Sequence, residues 1–182
     1  MDEKGKLRKE FRELRNQNPG HDDYLFLLEV PEVKSAKVIT SYFPMNGEPN
    51  LISLNESLIA AGKTLLLPRI RNHKMEFAKY EGDLIQSGKF HEPPGNIFIG
   101  EIQVCLIPAT AIDRNGVRLG QGGGSYDRAL KELLRLSPHM WSIALVYDGE
   151  VTSSDLPNEA HDIPVKAVAT PELVLRFSNT KY

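Results

Sequence analysis

The sequence of 182 residues predicts an α/β fold of three layers, with helices on both faces of a mostly parallel, Rossmann-like central sheet. Two observations carry that expectation. Short runs of β-branched and aliphatic residues alternate along the chain with segments of helical period. The runs are apolar almost throughout, as in Val104-Cys105-Leu106-Ile107, which is what a strand covered on both faces requires. No repeat, low-complexity tract or linker divides the chain, so residues 1–182 are expected to form one domain, long enough to bury a real core.

The elements follow in order. Leu7, Phe11 and Leu14 make one apolar stripe of a first helix, with Lys4, Arg8, Arg12 and Arg15 on the other faces, and Asn18-Pro19-Gly20 stops it. Tyr24 to Leu28 gives a short second helix before Pro31. Lys37 to Phe43 reads as a buried strand ended by Pro44 and Gly47. Residues 51–60 repeat with helical spacing up to Gly62, and Thr64 to Leu67 form a strand closed by Pro68. Met75 to Ala78 alternate like a half-exposed strand. Residues 81–100 are rich in Gly and Pro and read as a loop. After the strand at 104–107 come a helix from Tyr126 to Leu136, ended by Pro138, and strands at 141–147 and 165–169.

Composition narrows the function. With 22 Lys+Arg against 24 Asp+Glu, the formal charge of −2 removes the broad basic surface that nucleic-acid binding needs. Apolar runs such as Leu65-Leu66-Leu67 are too short to span a bilayer, and the charged start Met1-Asp2-Glu3-Lys4 lacks the apolar stretch of a signal peptide. A single cysteine makes no internal disulfide. A cytoplasmic protein is expected, a monomer or small homo-oligomer, with partners neither nucleic acid nor membrane. Cys105 reads as a small buried hydrophobe and Trp141 as packing beside the sheet. His21, His73 and His139 lack zinc-ligand spacing, and His91 and His161 are given no acid–base role.

The most informative stretch runs from Asp113 to Arg128. Four glycines in the five positions 120–124 permit positive φ, so that successive N–H groups point into one concavity. A helix N-terminus follows at once and adds free N–H groups and a positive dipole end. Phosphate is the natural guest. The dinucleotide fingerprint fails because Ser125 stands where a third glycine is required, and Gly95 to Gly100 fails as a phosphate loop because Glu101 stands where Lys is required. Asp127 lies in the first helical turn, as a dipole complement or as a magnesium ligand beside phosphate. Asp162 is a candidate second carboxylate. Lys4 and Arg8 are one turn apart, as a solvated face or a phosphate clamp.

These residues carry a resemblance. Lys4-x-x-Leu7-Arg8, Tyr42-Phe43-Pro44 with Glu48, Leu67-Pro68-Arg69, Met75-x-Phe77, Glu92-Pro93, Leu156-Pro157 and His161-Asp162 occur in the order found in the 5-formyltetrahydrofolate cyclo-ligase family. The long motif Asp113-x-x-Gly116-x-Arg118-Leu119-Gly120-x-Gly122-Gly123-Gly124-x-Tyr126-Asp127-Arg128 resembles that family's signature closely. It departs at Ser125, where the family usually has a tyrosine.

The resemblance implies an enzyme that converts 5-formyltetrahydrofolate and ATP into 5,10-methenyltetrahydrofolate, ADP and phosphate with Mg2+. It implies ATP contacts at Lys4, Arg8, Arg118, Leu119, Gly120, Gln121, Gly122, Gly123, Gly124, Ser125 and Tyr126. It implies folate contacts at Phe43, Glu48 and residues 121–125, and magnesium at Asp127 and Asp162, with Lys4, Arg118 and Asp127 carrying catalysis. Ser125 is expected to lose ring contact with folate while its hydroxyl caps the following helix. The competing expectations are a phosphate-sugar or acyl-transfer enzyme of similar architecture, and a non-catalytic folate- or nucleotide-binding protein with a degenerate site.

Overall fold

Burial divides the apolar residues into two large clusters on opposite faces of one sheet. The computed structural model describes residues 2–17, 23–45, 47–88 and 90–178. The Asn18-Pro19-Gly20 stop and His21 lie outside the described residues. In chain order the elements are α1 (Glu3–Gln17), a 3-10 turn (Leu25–Glu29), α2 (Pro31–Ser35), β1 (Val38–Thr40), α3 (Ile52–Ala60), β2 (Thr64–Arg71), β3 (Lys74–Lys79), β4 (Ile85–Ser87), β5 (Phe90–Glu92), β6 (Val104–Pro108), β7 (Ala111–Asp113), β8 (Arg118–Leu119), α4 (Ser125–Leu136), β9 (Trp141–Leu145), β10 (Val151–Thr152), β11 (Ala167–Ala169) and β12 (Val174–Arg176).

The main sheet runs β12-β11-β9-β6-β1-β2-β3. Its four inner pairings are parallel, and only β12 and β3, at the edges, run antiparallel. Numbered among themselves, the five parallel strands follow the order 2-1-3-4-5, the flavodoxin-like form of a doubly wound sheet. Alternation within β6 shows why its sequence is apolar throughout. Val104 and Leu106 pack with Leu54 and Leu58 of α3 on one face, and Cys105 and Ile107 with Leu130 and Leu133 of α4 on the other. Burial pushes the Cys105 thiol up to about 11.

Several elements differ from expectation for local reasons. The strand expected at 37–43 pairs only over Val38–Thr40, because the chain then peels off the sheet. Pro68 does not close its strand. The pairing of β2 with β1 ends at Leu66, so beyond it only β3 needs the ladder, and a proline is tolerated there. Asn72 and His73, both at positive φ (50° and 61°), turn β2 tightly into β3. The Gly- and Pro-rich stretch holds a two-stranded ribbon of β4 and β5. It is tied to β2 by the buried Glu92 carboxylate, which accepts from the Ile70 amide at 2.9 Å and from Arg71 at 2.6 Å. A small second sheet, β10-β7-β8, was not foreseen; its strands are two or three residues long, too short to show alternation.

Helix α1 lies across this small sheet, with Leu7 and Phe11 packed on Ala111, Val117, Leu119 and Leu156. The expected stripe is altered at its end: Leu14 is exposed and Arg15 is buried. The buried guanidinium has its partners. Arg15 Nε and Nη2 donate to Glu150 Oε1 and Oε2, both at 2.6 Å, Nη2 also to the Ala109 carbonyl at 3.0 Å, and Nη1 to the Gly47 carbonyl at 3.1 Å. No helix among the described residues is long and apolar enough to cross a membrane.

Candidate functional site

A doubly wound sheet leaves a crevice at the carboxyl ends of its strands where the order reverses. Here that switch point lies between β1 and β6. A cavity of about 550 Å³ opens there, and it includes Tyr42 and Phe43, which follow β1, and Pro108, which ends β6. Helix α1, the segment after β1, the β2–β3 hairpin with the β4–β5 ribbon, the glycine loop and the 159–162 turn form its walls.

The glycine loop leads from β8 into α4. Gly122 and Gly124 hold φ of 105° and 61°, which side-chain-bearing residues rarely adopt. Gly124 is the N-cap of α4 and Ser125 its first helical residue, so Ser125 does not cap the helix as expected. Its hydroxyl instead lies 3.5 Å from Arg128 Nη2. Arg8 crosses over the loop, donating from Nε to the Gly120 carbonyl at 2.9 Å, and Arg12 donates to Gln121. A side chain at Gly122 would begin 3.4 Å from the Arg8 guanidinium carbon. The loop is thus pinned from α1 while its glycines stay open to the cavity.

Charge is arranged in pairs around the loop. Arg118, whose side chain is 3% exposed, directs Nη1 and Nη2 to Asp127 Oδ1 at 3.0 and 2.9 Å, and the Ile163 amide donates to the same oxygen at 3.1 Å. Arg118 Nε is buried and makes no hydrogen bond within the protein. Lys4 Nζ reaches Asp162 Oδ2 at 2.7 Å and Glu159 Oε1 at 2.8 Å. Burial opposes the charge of Asp162, but hydrogen bonds from Lys4 and the Glu159 amide outweigh it, and the carboxyl titrates below its usual range. Because Ile163 bonds Asp127, the residues bearing the two candidate metal carboxylates are brought side by side. No group of three His, Cys, Asp or Glu among the described residues forms a ready-made metal cage.

Across the cavity, Glu48 Oε2 accepts from the Met45 amide at 3.1 Å, and its Oε1 lies 3.5 Å from Gln121 Nε2. Burial raises the Glu48 carboxyl above the ordinary glutamate value, against partial relief from these bonds and the Arg15 charge. The Phe43 ring meets His91 at 5.1 Å between centroids, tilted by 44°.

Lys4, Arg8, Phe43, Glu48, Arg118, Gly120, Gln121, Gly122, Gly123, Gly124, Ser125, Tyr126, Asp127 and Asp162 all line this one cavity. Leu119 does not; its side chain belongs to the apolar cluster under α1. The cavity also holds residues to which sequence reasoning gave no role: Glu159, Arg69, Met75 and His91. Arg69 and Met75 stood inside matched motifs. Glu159 and His91 each stood within three residues of one, and that nearness was the available signal.

Comparison with known proteins gives the family. A sequence model of the 5-formyltetrahydrofolate cyclo-ligase family matches residues 1–171. A Mycolicibacterium smegmatis protein called 5-formyltetrahydrofolate cyclo-ligase is 35% identical over 150 residues, spanning 76% of this chain and 75% of its own. The Escherichia coli protein of the same name is 29% identical over 170 residues, covering 88% of this chain and 92% of its own. Among solved structures, Aquifex aeolicus 5,10-methenyltetrahydrofolate synthetase superposes with a TM-score of 0.80 at 27% identity, covering 98% of this chain and 95% of that one. With its motifs gathered around one switch-point cavity and the family pattern running through nearly its whole length, this chain belongs to the 5-formyltetrahydrofolate cyclo-ligase family.

Proposed function

We propose that this chain closes 5-formyltetrahydrofolate to 5,10-methenyltetrahydrofolate at the expense of ATP, releasing ADP and phosphate. Family membership supports the conversion, and the observation that carries it to this cavity is the convergence there of the glycine loop, the α1 cations and Glu48.

The chemistry explains the residue types. A formyl amide oxygen is a poor leaving group. Transfer of the ATP γ-phosphoryl group to that oxygen breaks the bond to ADP and makes a phospho-imidate. Folate N10 then attacks the formyl carbon and gives up its proton to solvent, and the C–O bond breaks with the electron pair leaving on phosphate. Phosphoryl transfer is chiefly positioning and charge neutralisation. The amides of residues 120–126 and the side chains of Lys4 and Arg8 surround the phosphates, and Arg118, paired with Asp127, adds positive charge at the cavity wall. Glu48 accepts hydrogen bonds from the pterin's amino and ring N–H groups, and Phe43 packs against the substrate.

Asp127 and Asp162 would hold Mg2+. Each has one oxygen taken by protein donors, and the pair without a third protein ligand suits an ion that keeps phosphate oxygens in its shell. The ion, when bound, neutralises phosphate charge. The buried, unpaired Cys105 is compatible with the reducing cytoplasm, where we place the activity.

The test is an absorbance assay for methenyltetrahydrofolate from 5-formyltetrahydrofolate. Product is expected only when ATP and a divalent cation are both present, and a chelator should stop it. Binding of both ligands without turnover would make this a folate- and nucleotide-binding protein with a lapsed site.

A further inference from the structure

We propose that Arg15 is a positioning residue that couples the nucleotide and folate halves of the site, so that either substrate tightens the other. The inference rests on the function proposed above. Arg15 belongs to α1, the helix whose Arg8 bonds the Gly120 carbonyl of the glycine loop and whose Lys4 pairs with Asp162 and Glu159 across the cavity wall. Its own guanidinium points the other way, into the protein. There it holds Glu150 with two bonds and the carbonyls of Ala109 and Gly47 with one each. Gly47 immediately precedes Glu48. The Tyr147 ring lies under the guanidinium, 5.0 Å from Arg15 Cζ to its centroid, and its hydroxyl donates to the Glu48 carbonyl at 3.3 Å. Arg15 and Tyr147 therefore grip the peptide on both sides of the Glu48 α-carbon.

Stability alone does not account for this arrangement. A buried ion pair is commonly matched or bettered by apolar side chains of similar volume. What apolar packing lacks is direction. The planar fork of Arg15 fixes three separate segments at set distances, and a lysine ammonium has no such fork. On this proposal a nucleotide that restrains α1 also restrains the segment carrying Glu48 through the same fork, and folate then binds without meeting that cost again. By linkage, folate must favour nucleotide by the same factor.

The experiment is calorimetry of 5-formyltetrahydrofolate binding with and without a saturating non-hydrolysable ATP analogue, on wild type, Arg15→Lys and Tyr147→Phe. Wild type should bind folate at least about fivefold more tightly with the analogue. That ratio should fall below about twofold in Arg15→Lys and to an intermediate value in Tyr147→Phe. A lower Tm with the full wild-type ratio would mean that Arg15 only stabilises, and the inference would be lost. If Arg15→Lys does not fold, Tyr147→Phe decides, and an unchanged ratio there overturns the inference. Wild type binding both ligands independently overturns it too while sparing the proposed function. Wild type binding neither overturns both.

Discussion

Glu48 lines the cavity at a cost to the fold. Its carboxyl sits where burial raises its pKa, so the folded chain holds that proton more tightly than the unfolded chain does. The sign follows directly. Below the ordinary carboxyl range both states are protonated and nothing is lost. As pH rises through the unfolded value, the unfolded state ionises first, and stability falls until the folded carboxyl ionises as well. Glu48→Gln keeps an acceptor for the Met45 amide and removes this penalty. Its Tm should equal that of wild type in acid and exceed it at neutral pH, in thermal melts across the pH range. Its KM for folate should rise roughly tenfold or more, the loss of a charge-assisted hydrogen bond. A melting curve that tracks wild type at every pH would show that Glu48 is solvated in the free protein. At this scale the sequence was only partly legible. Phe43, Glu48, Asp127 and Asp162 all line the one cavity, but Arg15 looked like another solvated cation of α1. Nothing local distinguishes it from Arg12, since its partners Glu150 and Gly47 are 135 and 32 residues away in the chain.

Helix α1 does two jobs with opposite faces. Leu7 and Phe11 seat it on the small sheet, while Lys4 and Arg8 reach the cavity from its first turns. Replacing both cations by alanine leaves the seat and the Arg15 anchor in place. ATP affinity should drop by about 2–4 kcal/mol, at roughly 1.5–2 per charge-assisted contact, with a smaller change in folate KM. Unchanged ATP affinity by calorimetry would reduce the helix to scaffolding. Long periodic elements such as α1, α3 and α4 could be read from the sequence because a buried stripe repeats several times within them. The β2–β3 hairpin could not. Its turn residues, Asn72-His73, lack the glycine that usually marks such a turn, and Pro68 reads as an ending. The β4–β5 ribbon was hidden by the glycine and proline around it, because its order comes from Glu92 reaching back to β2 and not from its own pattern.

For the molecule as a whole, the sequence conveyed layers but not order. Apolar strands such as β6 declare that both faces are covered, yet only the pairing shows β1 beside β6, and that adjacency creates the crevice. The same central placement gives Cys105 a further use. It is the only cysteine in the sequence, fully buried in the middle strand, with its thiol held protonated to about pH 11. A thiol reagent reaches it only when the sheet parts. In excess reagent, the colour released should therefore follow a single slow exponential at neutral pH, accelerating to an immediate burst in strong denaturant. A fast burst in the native protein would reveal a loose sheet. Where opening and reclosing outpace the chemistry, a ligand that binds only the closed form slows labelling by the factor 1 + [L]/Kd. The lone sulfur is thus a built-in stopwatch, timing the native state and weighing nucleotide or folate occupancy in enzyme that has not turned over once.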